Sequence, residues 1–108
     1  MMALFNIMDI GDLKLSAQRA LLGNVTPNLR AVCVDIEDNV ISAIFFCDKE
    51  ISEEDFELYE QAKDQIIADF CQPQASFDQP EFSLETVRLD YPEKMPLKGF
   101  WVYYRNES

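Results

Sequence analysis

Two apolar runs, Leu29 to Glu37 and Asn39 to Asp48, meet at the Asp38-Asn39 pair. Both are rich in Val, Ile, Phe and Cys, which favour a pleated, half-buried surface, and Asp-Asn tolerates the positive φ of a two-residue turn. The chain must therefore contain a β-hairpin, and everything else has to cover it. Strand alternation places Val32, Val34 and Ile36 on one face of the first strand, with Ala31, Cys33 and Asp35 on the other. On the second strand Ile41, Ala43, Phe45 and Cys47 oppose Ile44 and Phe46. Apolar residues on both faces predict at least partial cover on both sides.

From Asp9 to Leu22, residues Ile10, Leu13, Ala17, Ala20 and Leu21 recur at helical steps, with Leu15 and Leu22 broadening the stripe and Gly11 weakening the first turn. Gly23-Asn24 and Pro27 supply the stop. Ser52 caps a second helix, with Asp55 three residues on and Glu53, Glu54 and Asp55 at the positive end of its dipole. Phe56, Tyr59, Ala62, Ile66, Ile67 and Phe70 mark its buried stripe, and Pro73 ends it. Gln72 to Gln79 reads as a loop, Phe82 to Tyr91 and Phe100 to Arg105 as strands, and Pro92, Pro96 and Gly99 as their connection. The order α-β-β-α-β-β predicts one α+β domain over residues 1–108, a four-stranded, mostly antiparallel sheet with helices packed on it. Where the second helix delivers the third strand decides whether a parallel pair enters.

The chain has no histidine. It offers no Ser-His or Cys-His pair and no imidazole metal ligand, which excludes most small-hydrolase chemistry. Asp35, Glu37 and Asp38 cluster at the turn but lack the ligand spacing and glycine of a calcium loop, so neither metal nor cofactor is expected. Cys71 lies near a helix C-terminus, the wrong end to activate a thiolate. Cys33, Cys47 and Cys71 form no CxxC pair and are expected to be buried, reduced thiols of a cytoplasmic protein; Cys33 and Cys47 facing each other across the hairpin is the other reading. Met1 to Ile10 carries Asn6 and Asp9, has no basic n-region and opens no run of 18 apolar residues, so neither a signal peptide nor a membrane span is expected.

The formal net charge is −11, and it is unevenly placed. Twelve of the 20 acids lie between Asp35 and Asp69, where the bases are Lys49 and Lys63 alone. Such a balance opposes binding to nucleic acid or anionic lipid and favours a basic partner. On the second helix Glu53, Glu57, Glu60 and Asp64 fall at steps of four, three and four, forming one ridge opposite the apolar stripe. Like charges so spaced cost roughly 0.2 to 0.5 kcal/mol per pair, and Lys63 alone is placed to relieve them. With Asp38 and Asp48, the ridge is the candidate partner-binding surface; the plainer reading is a solvated face kept acidic for solubility. At the other end of the chain, alternation puts Trp101, Tyr103 and Arg105 on one face of the last strand and Phe100, Val102 and Tyr104 on the other, as sheet covering or as interface anchors. Asp90 is placed to pair with Arg88 or Arg105, or to cap the turn at Pro92.

Leu22-Gly23-Asn24-Val25-Thr26, Leu29-Arg30-Ala31-Val32, Glu50-Ile51-Ser52-Glu53-Glu54-Asp55, Leu89-Asp90-Tyr91-Pro92 and Trp101-Val102-Tyr103-Tyr104-Arg105 resemble the small acidic immunity proteins of contact-dependent growth inhibition and related polymorphic toxin systems. The likeness extends from about Gly11 to Arg105 and contains no catalytic signature. It implies a non-enzymatic, cytoplasmic inhibitor, a monomer or weak dimer, that binds the C-terminal effector domain of a cognate toxin. Many such effectors are nucleases, which suits an acidic surface. Contact residues vary within such families, so the ridge is assigned from charge alone. An acidic adaptor module that self-associates through a strand edge is the alternative, and a small enzyme using carboxylates and a cysteine is the third reading.

Overall fold

The computed structural model describes residues 10–70, 80–96 and 99–107. Helix α1 spans Ile10–Ala20, β1 Leu29–Glu37, β2 Val40–Cys47, α2 Glu53–Phe70, β3 Glu81–Arg88 and β4 Phe100–Tyr104, the expected α-β-β-α-β-β order. The loop expected at Gln72 to Gln79, Pro73 and Cys71 lie outside the described residues. Asp38 and Asn39 both adopt positive φ (51° and 62°), the two-residue turn the hairpin requires. Gly23, at φ 80°, follows α1, and the Asn24 side-chain amide donates to the Ala20 carbonyl at 2.8 Å.

The four strands run in the order β3-β2-β1-β4. β1 pairs antiparallel with β2 and with β4, whereas β2 and β3 are parallel from Val40 opposite Glu81 to Cys47 opposite Arg88. The parallel pair arises because α2 carries the chain from the end of β2 back to the end of the sheet where β2 began. The sheet is thus mixed, with two antiparallel pairings and one parallel.

Both helices cover one face of the sheet. Leu13, Ala17, Ala20 and Leu21 come from the α1 end and Tyr59, Ala62 and Ile66 from α2, and they pack on Val32, Val34, Ile41, Ala43, Phe45 and Cys47. The Tyr59 hydroxyl and the Thr26 hydroxyl hydrogen-bond inside this layer, which satisfies two buried polar atoms and ties the loop after α1 to α2. Three apolar residues expected in the helix stripes are instead exposed: Leu15 (52%), Leu22 (78%) and Phe56 (45%). Leu15 lies about 200° around the helix from Leu13, and Leu22 follows the end of α1. In place of Phe56 the helix buries Lys63, whose ammonium bonds Glu60 at 2.8 Å and lies 5.8 Å from the Phe45 ring centre and 5.7 Å from that of Phe56.

The opposite face carries a smaller cluster of Ala31, Cys33, Phe46 and Met95, with Ile44, Val87, Leu89 and Trp101 packed against it. The alternation expected of β4 breaks here. Tyr103 pairs with Val32 but Trp101 pairs with Cys33, leaving Val102 as an extra residue. The bulge turns Trp101 and Tyr104 onto one face, their rings edge-on at 5.2 Å, while Val102 and Tyr103 pack toward the helices. Cys33 and Cys47 are buried on opposite faces of the sheet, so they do not meet across the hairpin. Burial pushes the Cys47 thiol up to about 11.

A second register shift, between Leu29 and Ala31, leaves Arg30 as the extra residue of β1. Its side chain is buried; Nε and Nη2 grip the Glu107 carboxylate at 2.7 and 3.0 Å, and Nη1 donates to the Leu89 carbonyl at 2.6 Å. Arg105 extends the network to Glu107 (2.9 Å), Asp48 (3.3 Å) and the Pro27 carbonyl (2.8 Å). Asp48 in turn accepts from the Tyr91 amide at 3.0 Å. Asp90 takes Arg88 as its partner, at 3.0 and 3.1 Å, and accepts from the Lys49 amide.

The hydrogen bond from Arg30 holds the Glu107 carboxyl below its usual range, and that from the Tyr91 amide does the same for Asp48. Both groups bind protons more weakly folded than unfolded, so the stability they add is complete above about pH 4.3 and disappears as pH falls through their lowered values. Glu107→Ala, which strands a buried guanidinium, is expected to destabilise the fold by about 3 kcal/mol at pH 7 and to flatten the acid limb of stability against pH, both read from urea unfolding. Cys33 and Cys47 are expected to resist alkylation in the native protein and to react on unfolding, as mapped by mass spectrometry.

Candidate partner-binding surface

Helix α2 begins as its sequence requires: the Asp55 amide donates to the Ser52 hydroxyl at 3.0 Å and the Phe56 amide to the Ser52 carbonyl at 2.9 Å. Burial of Tyr59, Ala62, Lys63 and Ile66 fixes the rotation of the helix and turns Glu53, Glu57 and Asp64 to solvent. None of these three makes an ion pair among the described residues, whereas Glu60 is held by Lys63. From Glu53 to Asp64 the ridge is about 16 Å long at 1.5 Å per residue. It is a row of carboxylates on one helix face, three of them without an ion pair among the described residues, and suited to charge recognition.

The two other candidates lie elsewhere. Asp38 is exposed in the hairpin turn, beside the start of β3 and at the opposite end of the sheet from Glu53, which follows the end of β2. Asp48 is only 8% exposed, and its carboxylate is engaged by Arg105 and the Tyr91 amide. The four ridge acids are brought together; Asp38 and Asp48 are not joined to them.

A second group of acids is only partly visible in the sequence, which clusters Asp35 and Glu37 at the turn but does not bring Glu85 to them. On the sheet face opposite the helices, Asp35, Glu37 and Glu85, with Cys33, Ser42, Ile44 and Ser83, line a groove of about 350 Å³. Asp35 was already placed on that side of β1 by alternation. Glu85 and Ser83 join it because β3 lies parallel to β2, with Ser83 opposite Ser42 and Glu85 opposite Ile44. That register depends on a crossover that local pattern does not reveal.

Among the described residues no helix is long and apolar enough to cross a membrane. A comparison with curated proteins finds no match. The model of the MafI2 immunity protein family matches residues 10–107, a span that takes in both helices, all four strands and the Arg30–Glu107 pair. The chain therefore belongs to the MafI2 immunity protein family, the immunity proteins of a Maf polymorphic toxin system, and its role is to neutralise a toxin.

Proposed function

We propose that the toxin domain neutralised by this protein is a basic nuclease, and that the acidic ridge of α2 engages it. The supporting observation is the row of exposed carboxylates Glu53, Glu57 and Asp64, without an ion pair among the described residues, beside Glu60, in a chain of net charge −11. A nuclease gathers Lys and Arg to hold phosphates, and a row of carboxylates at helical spacing presents those cations with fixed negative charge in place of the substrate. Asp38 adds to the negative field from the hairpin turn, and Asp48 contributes by holding the loop before α2 in place. The same charge disfavours direct binding to nucleic acid.

Binding alone suffices for this role; the inhibitor needs no reaction of its own, metal or cofactor. The buried thiols of Cys33 and Cys47 suit a reducing cytoplasm, where a toxin made or imported would be met. A monomer, or a weak dimer, presents the ridge to one toxin domain.

The double variant Glu53→Lys, Glu57→Lys is expected to slow association with the purified toxin domain at least tenfold at low salt. The difference should shrink as ionic strength rises toward 0.5 M, because screening removes the attraction. Stopped-flow or surface-based kinetics measures both. An association rate unaffected by the substitutions and by salt would overturn the acidic-ridge reading.

A further inference from the structure

The sheet face opposite the helices is divided into two contiguous halves. At the end where β2 meets its following loop, Met95 seals Ala31, Cys33 and Phe46, and Trp101 and Tyr104 stand beside them. Tyr104 is 56% exposed, and the Trp101 ring lies 6.4 Å from that of Phe46. Toward the hairpin turn the face opens into the groove of about 350 Å³, with Cys33 and Ile44 as its apolar lining and Asp35, Glu37 and Glu85 around it. Among the described residues none of these three carboxylates makes an ion pair, and no helix packs on this face. Cys33 joins the halves, since it lines the groove and pairs in register with Trp101.

Two features of this surface are independent of each other. The bulge at Val102 sets two large aromatics on one face, where strict alternation would separate them. The parallel register of β3 brings Glu85 alongside the acids of β1. Aromatic side chains are enriched at interface centres and polar groups at their rims, the arrangement that Trp101 and Tyr104 make with the acidic groove beside them. The negative charge specifies what enters: a Lys or Arg side chain, whose aliphatic stem would lie on Ile44 and Cys33 and whose head would meet the carboxylates.

We infer that this open sheet face is a docking surface for the toxin domain, with Trp101 and Tyr104 packing against an apolar residue of the toxin and a toxin Lys or Arg seated in the Asp35–Glu37–Glu85 groove. The inference rests on the reading of the protein as the binder of a basic toxin, and places contacts where that reading does not. α2 packs on one side of the edge strand β3 and the groove lies on the other, so a partner curling round the β3 edge meets both ridge and groove.

Trp101 is the chain's single tryptophan, so labelling this protein with 5-fluorotryptophan gives one ¹⁹F signal from the open face. The probe is the unlabelled C-terminal domain of the toxin encoded beside this chain. Binding is expected to shift or broaden the signal, and Tyr104→Ala and Glu85→Lys, both at exposed positions, are each expected to raise Kd at least tenfold, mainly through faster dissociation. Unchanged thermal midpoints establish that these variants are folded, and Glu85→Lys, outside the aromatic cluster, carries the test if Tyr104→Ala loosens the sheet. A complex that leaves the ¹⁹F signal in place, or one whose Kd stays within twofold in both variants, overturns the open face as docking surface while leaving neutralisation through α2 intact. Failure of the wild-type protein to bind the toxin domain overturns both.

Discussion

Arg30 occupies the extra position of a bulge at the start of β1, and its guanidinium is buried where charge has to be matched. Its partners come from two distant stretches: the Leu89 carbonyl just beyond β3 and the Glu107 carboxylate just beyond β4. Those are the two outer strands of the sheet, which never touch each other. One side chain from the central strand therefore pins both edges. Arg105 and Asp48 carry the same network to the loop that launches α2, so the orientation of the acidic helix is coupled to the pairing at the far side of the sheet. Removing Glu107 leaves a charge that cannot reach water without opening this end of the molecule.

The balance on α2 is of a different kind. Its exposed side lines up like charges that lower the intrinsic stability of the helix, while its buried side offers Tyr59, Ala62 and Ile66 to the sheet. Tertiary packing prevails, because each buried large side chain is worth roughly 1.5 to 3 kcal/mol against a few tenths for each repulsion. Lys63 serves both sides: its ammonium faces the Phe45 and Phe56 rings and also offsets Glu60. A helix whose only aim was stability would not need that arrangement. If the toxin is basic, as proposed, the repulsion has a use, since charges that repel one another attract a basic surface.

Local features were legible in the chain itself. The Asp38-Asn39 turn, the Ser52 cap and the glycine after α1 each satisfy backbone requirements within a few residues, and the structure shows them where the pattern put them. What was not legible depends on residues far apart. Phe56 and Lys63 exchanged their expected environments because Phe45, on β2, offers its ring to the ammonium. The bulge at Val102 arises where β4 meets β1, and nothing in Phe100 to Tyr104 alone announces it. Of the candidate surface, the spacing of Glu53, Glu57, Glu60 and Asp64 was readable from helical periodicity. The internal engagement of Asp48 was not, because its partners Arg105 and Tyr91 are more than forty residues away.

The parallel pairing of β2 with β3 also sets an order of assembly. β1 and β2 close over a turn of two residues, whereas the ladder between β2 and β3 closes a loop that contains the whole of α2. Closing the longer loop costs more entropy and is repaid only once α2 has packed. The groove on the open face takes two of its lining residues, Ser83 and Glu85, from that late strand. A chain still folding thus has its hairpin acids but no groove, which is completed only when the edge strand is in place.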